Sequence, residues 1–100
     1  YNDPQLTEEM LPSLEALAGK NSVIVSPAQT GAEDFSFFQQ KVPGFFFFLG
    51  GMPKGKRGHE AAPHHTPDFY IDESGMVLGV RSLSRLAVDY MEKHASKKVQ

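Results

Sequence analysis

Cysteine is absent from the 100-residue chain, so neither disulfides nor thiolate-held zinc can contribute to its fold or chemistry. A surplus of basic residues is missing too. The formal net charge is −2 and no basic stripe runs along any segment, which predicts no nucleic-acid partner. No apolar run approaches the roughly 18–20 residues of a membrane span. The longest, Phe45-Phe46-Phe47-Phe48-Leu49, is far shorter, so no membrane partner is expected. The opening Tyr1-Asn2-Asp3-Pro4 has neither the basic start nor the apolar stretch of a signal peptide, and no initiator methionine. It therefore suggests missing upstream sequence and leaves the compartment open between cytoplasm and periplasm.

What is present reads as globular. Hydrophobic residues make up 40%, an ordinary share for a packed domain and too many for a disordered tail. A chain of this length buries about two-thirds of its unfolded surface, enough for a modest core.

Local patterning predicts five elements. Thr7 can cap a first helix, with Glu8 and Glu9 where the helix dipole favours negative charge. Leu6, Met10, Leu14 and Leu17 share one face, and Gly19 is the stop. Pro12 inside this span predicts a kink or a start nearer Leu11. Residues 22–26, Ser-Val-Ile-Val-Ser, read as a short strand. A second helix is expected from Glu33 or Asp34, with Phe35, Phe38 and Val42 on one face and Pro43 ending it. Residues 45–49 suit a strand covered on both faces. Residues 50–58, with four glycines, one proline and three basic residues, form a loop. Asp72 or Ser74 caps the last helix, which carries Met76, Val80, Leu83, Ala87 and Tyr90 at helical spacing, and the polar tail from His94 to Gln100 is expected to fray.

The order helix-strand-helix-strand-helix points to an α/β layered arrangement. Two short strands make a poor sheet, and an apolar strand such as 45–49 needs neighbours on both sides. The fold expected is therefore a fragment of a layered α/β domain with a mixed central sheet.

Three segments could carry chemistry. His59-Glu60 with His64 is near the zinc-protease pattern His-Glu-x-x-His, but its histidines are five residues apart, and Pro63 disfavours a helix through the segment. That reading is rejected. His64-His65 precedes Thr66-Pro67-Asp68-Phe69. Adjacent side chains of an extended segment point to opposite sides, so at most one imidazole should reach a metal. No other local residue completes the three-ligand set of a catalytic zinc site; Asp72 and Glu73 are better explained as helix-start charges. Gly31-Ala32-Glu33-Asp34-Phe35 puts a glycine and two carboxylates at a helix entry, which the dipole favours by itself. Functionally, the glycine would admit a substrate close to the backbone. The serines follow no nucleophile-elbow pattern, and Lys54, Lys56 and Arg57 read as a solvated loop.

Four motifs in order resemble one family: Asn2-Asp3-Pro4 with the helix after it, Gly31-Ala32-Glu33-Asp34-Phe35-Ser36, Val42-Pro43-Gly44 through Leu49-Gly50, and His64-His65-Thr66-Pro67-Asp68-Phe69 with Asp72-Glu73. Together they resemble the closing part of the catalytic domain in the aminoacylase and carboxypeptidase G metallopeptidases. The branch is that of hippurate hydrolase and the indole-acetyl-amino-acid hydrolases. The resemblance implies an α/β catalytic domain holding two divalent metals (zinc, manganese or nickel) and an inserted lid domain through which the parent forms a homodimer. It implies an N-acyl-amino acid or small-peptide substrate whose amide bond is cut by metal-activated water. The family's last metal ligand precedes a Ser/Thr/Asn-Pro step, which here selects His65 and makes His64 a bystander. Gly31, Ala32 and Glu33 fall on the substrate side.

The family's His-x-Asp segment, its Glu-Glu pair and its lid have no counterpart in residues 1–100, which are expected to be inert alone because metal-activated water needs a base and several ligands together. Two rivals stand beside this reading: an interaction module recruiting a partner along an exposed sheet edge, and a relative that binds acyl-amino acids without cleaving them.

Overall fold

Helix α1 (Pro4–Ala18) begins one turn earlier than its sequence suggests. In the computed structural model, which describes residues 1–95, its cap is Asp3 rather than Thr7. The Asp3 carboxylate accepts the Leu6 N–H at 2.8 Å, and Thr7 Oγ donates back to the Asp3 carbonyl at 2.7 Å. Pro4 occupies the first turn, where its missing N–H costs nothing. Pro12 sits within the helix on its exposed side and leaves the Glu8 carbonyl, also on an exposed residue, open to water. The helix runs through Pro12 without ending. It stops at Gly19, whose φ of 89° is the left-handed region that glycine enters freely.

After a single 3-10 turn (Lys20–Ser22) the chain is irregular until the one-turn helix α2 (Phe35–Gln39). Two more 3-10 turns, Gly58–Glu60 and Glu73–Gly75, lead to the long helix α3 (Met76–Ala95). The Asp72 carboxylate accepts the Ser74 N–H at 2.9 Å and starts this last stretch, as expected. That bond holds the Asp72 carboxyl below the usual aspartate range. His94 and Ala95 are helical; the rest of the tail expected to fray lies outside the described residues.

No strand forms among the described residues, so the expected helix-strand-helix-strand-helix order and the α/β layering around a mixed sheet are overturned. The architecture of the described residues is three α-helices joined by 3-10 turns and irregular segments. A strand exists only through its ladder to a neighbour, and β-branched residues alone do not provide one. In residues 22–26, Ile24 and Val25 are 81% and 93% exposed, against nothing that could pair with them.

Residues 45–49 keep the local geometry of a strand without a sheet. The Phe45 and Phe47 rings stack at 6.0 Å while Phe46 and Phe48 meet edge-on at 5.3 Å, the two-residue alternation of extended backbone. Pairing comes instead from a side chain. The Asn2 amide accepts the Phe46 N–H at 2.8 Å and donates to the Phe46 carbonyl at 2.9 Å, as a neighbouring strand would. Gln39 Nε2 reaches the Tyr1 and Gly44 carbonyls, both at 3.1 Å, and Asp3 N–H donates to the Gly44 carbonyl at 2.9 Å. Two of the family-like motifs, Asn2-Asp3-Pro4 and Val42-Pro43-Gly44, are thus tied together.

The core is the seam between α1 and α3, which run antiparallel. Ser13 Oγ donates to Asp89 Oδ2 at 2.6 Å, and four residues earlier on α1 the Glu9 carbonyl accepts Lys93 Nζ at 2.8 Å. Glu9 Oε1 also lies 3.0 Å from His94 Nε2. Met10 and Leu14 are the buried apolar side chains, with Ser13 and Ser82 buried beside them. The face of α3 that approaches α1 therefore runs through Leu78, Ser82, Leu86 and Asp89. The residues read at helical spacing lie outside it, with Val80 at 67% and Leu83 at 65% exposure. Hydrophobic spacing identified the helix and missed the face, because α3 is apolar on more than one side. The radius of gyration, 15.8 Å, exceeds the roughly 13 Å of a compact chain this long, and the extents are 54 × 28 × 20 Å.

Candidate functional site

The segment between the Gly-rich loop and α3 is a series of tight turns, each locked locally. Glu60 Oε2 accepts the Arg57 N–H at 2.6 Å, which commits the glutamate of His59-Glu60 to closing a turn. Thr66 Oγ donates to the Pro63 carbonyl at 2.7 Å, and the Phe69 N–H donates to the Thr66 carbonyl at 3.1 Å. Asp72 N–H reaches the Gly51 carbonyl at 2.7 Å, and Lys56 Nζ lies 5.5 Å from the centre of the Tyr70 ring. The Gly-rich loop is therefore folded back beside the far end of the histidine segment.

His64 and His65 do not lie on extended backbone, as the sequence suggested, but in a turn. His65 has φ 64°, the left-handed region, and among the described residues it is the only non-glycine there. Such a conformation is uncommon outside glycine, although histidine tolerates it better than most, and it costs about 1–3 kcal/mol. The two imidazoles have different surroundings. His64 packs edge-on against Phe69, with ring centres 4.8 Å apart and planes at 61°. His65 is exposed, and no hydrogen bond, ion pair or ring contact engages it among the described residues.

Gly31, Ala32 and Glu33 are exposed and lie just before α2. Gly31 has open space where a Cβ would stand, so nothing packed requires glycine there. Glu33 closes the start of α2 twice over. Its Oε1 accepts the Phe35 N–H at 3.2 Å, and its carbonyl accepts the Ser36 N–H at 3.1 Å. No hydrogen bond, ion pair or ring contact joins residues 31–34 to residues 59–69 among those described.

Nor does any group of three or more His, Asp or Glu side chains gather into a metal-binding cluster among the described residues. A divalent ion needs three or more such donors with an open position for catalysis. The residues present therefore fit the contribution of one imidazole and do not compose a metal site of their own. What sequence reasoning missed is the ring of Phe69 against His64 and the pairing of the Asn2 amide with the Phe46 backbone. An aromatic five residues after a histidine is too common to signal such a contact, and Asn2 gains its partner 44 residues away.

Comparison with known proteins places this geometry in context. The chain is 36% identical over 92 residues to thermostable carboxypeptidase 2 of Saccharolobus solfataricus, covering 92% of this chain and 22% of that protein. It is 33% identical over 89 residues to the putative amidohydrolase YhaA of Bacillus subtilis, 89% of this chain and 22% of that one. With the IAA-amino acid hydrolase ILR1-like 2 of Arabidopsis thaliana it shares 30% identity over 96 residues, 96% of this chain and 21% of the other. No solved structure matches significantly. The relatives named are hydrolases, and the profile of the peptidase family M20/M25/M40 matches residues 1–89. The chain belongs to that family. It spans about a fifth of the length of these relatives.

Proposed function

We propose that residues 1–100 are a C-terminal segment of the catalytic domain of a metal-dependent amidohydrolase, to which they contribute one metal ligand, His65. The observation that carries this reading is the exposed imidazole of His65 on a left-handed turn, directly before Thr66-Pro67. Strained non-glycine backbone collects at functional sites, where surrounding structure holds it in place. A neutral imidazole with a ring nitrogen left open is the form in which histidine binds a divalent ion.

The whole protein would cut the amide bond of an N-acyl-amino acid or small peptide. The names of the relatives, a carboxypeptidase, an amidohydrolase and an amino acid hydrolase, support this substrate class. A bound pair of divalent ions would polarise the scissile carbonyl and acidify the attacking water. Residues 31–34 would border the substrate through backbone, because the Glu33 side chain is engaged in starting α2. With no metal-binding cluster among its described residues, the isolated segment would be inert.

The test is His65→Ala in the full-length protein, with metal content and hydrolysis of N-acyl-amino acids both measured. The expected result is lowered metal stoichiometry and a loss of activity of at least about a hundredfold, the scale of removing a group that organises the site. A fully metallated and active variant would refute the assignment.

A further inference from the structure

His64 has no role in the reading above, yet it is the histidine of the pair that the fold engages. Its ring meets Phe69 at 4.8 Å between centres, and the two residues bracket the turn that contains the left-handed His65. Across the same turn Thr66 Oγ donates to the carbonyl of Pro63, just before His64, at 2.7 Å, and the Phe69 N–H donates to the Thr66 carbonyl at 3.1 Å. The first bond spans His64 and His65, and the second fixes the chain on the C-terminal side of His65. On the N-terminal side, the side-chain anchor within the turn is the His64 ring. A residue at positive φ relaxes to ordinary backbone unless both of its flanks are held.

We propose that His64 is a positioning residue: its ring, seated edge-on against Phe69, holds the turn that keeps His65 left-handed and its imidazole free. The contact uses the shape and edge polarity of an aromatic ring, not ring nitrogens, since an edge-on pair is favourable between any two aromatic rings. The inference rests on the assignment of His65 as a metal ligand and adds what orients that ligand. It predicts that a ring is required at position 64 and that an imidazole is not.

The experiment titrates the metal-free full-length protein with Zn²⁺ by calorimetry, in wild type, His64→Ala, His64→Phe, Phe69→Leu and the His64→Ala/Phe69→Leu double variant. Thermal unfolding of each metal-free protein is recorded alongside. His64→Ala and Phe69→Leu are expected to weaken Zn²⁺ binding about three- to tenfold, the range set by loss of one aromatic pair. His64→Phe should stay within about twofold of wild type, and the double variant should be no weaker than either single one. Melting temperatures of the metal-free proteins should be unchanged, which separates positioning of a ligand from support of the fold. Wild-type affinity in His64→Ala overturns the proposal, and so does a loss in His64→Phe equal to that in His64→Ala. A loss of melting temperature parallel to the loss of affinity also overturns it. Wild-type Zn²⁺ stoichiometry in His65→Ala would instead refute the ligand assignment itself, so the two failures are distinguishable.

Discussion

At position 65 stability and function ask for different residues. The φ of 64° favours glycine, whereas metal binding would require an imidazole. His65→Gly should therefore raise unfolding free energy by up to about 1 kcal/mol while removing the ligand, and His65→Val should lower it by about 1–3 kcal/mol because a β-branched residue fits this region worst. Urea unfolding of the metal-free protein distinguishes them; equal stabilities would mean that the turn relaxes when the residue changes. Asp89 gives a prediction in pH. The Arg85 guanidinium at 2.7 Å, then the Ser13 hydroxyl, hold its carboxyl below the ordinary aspartate range. A carboxyl depressed by folding adds stability above its unfolded value and loses it as pH falls through the folded one. The chain should lose stability below about pH 4, and Asp89→Asn should show a shallower acid limb in stability measured against pH. The sequence carried the His65-Thr66-Pro67 motif openly. It carried no sign of left-handed backbone or of the Phe69 ring against His64, because both arise only when the turn closes.

Among the elements, helices were legible and strands were not. The 3-10 turn that leads into α3 could be read from Asp72, and the end of α1 from Gly19, since caps act through bonds within a few residues. The start of α1 was misplaced because Thr7 and Asp3 both have capping chemistry; Asp3 prevails with Pro4 favouring the turn that follows it. Strands depend on partners distant in sequence, and residues 22–26 and 45–49 have the composition without the ladder. Where 45–49 ends, Leu49 lies so close to α3 that a Cβ on Gly79 would stand 2.9 Å from its Cδ2. That atom is the tip of a side chain 43% exposed and can rotate away. Glycine inside a helix costs about 1 kcal/mol relative to alanine, so Gly79→Ala should stabilise the chain by about 0.5 kcal/mol net. The check is a higher urea midpoint with unchanged slope; a lower midpoint would mean that Leu49 is fixed.

For the molecule as a whole, stability is concentrated in a narrow place. Met10 is 1% exposed and Leu14 8%, and no other large apolar side chain among those described is as well covered. Met10→Ala should cost about 2–5 kcal/mol, enough to abolish a cooperative thermal transition in a chain with so small a core. Val25→Ala, at a residue 93% exposed, should change stability by less than about 0.5 kcal/mol. Equal effects would mean that the α1–α3 seam is not the core. Family membership could be read from motif order, while the shape could not: an apolar content of 40% says nothing about how much of it finds cover.

The same seam sets a timetable for folding. Its polar contacts join residues 76 to 85 positions apart, so its two sides are made at nearly opposite ends of the segment. A fifteen-residue helix such as α1 is marginal in water by itself. At about 5–20 residues per second of synthesis, α1 would wait roughly four to seventeen seconds for α3 to emerge. During that interval Met10 and Leu14, the two apolar side chains that the seam later covers, have no partner in α3.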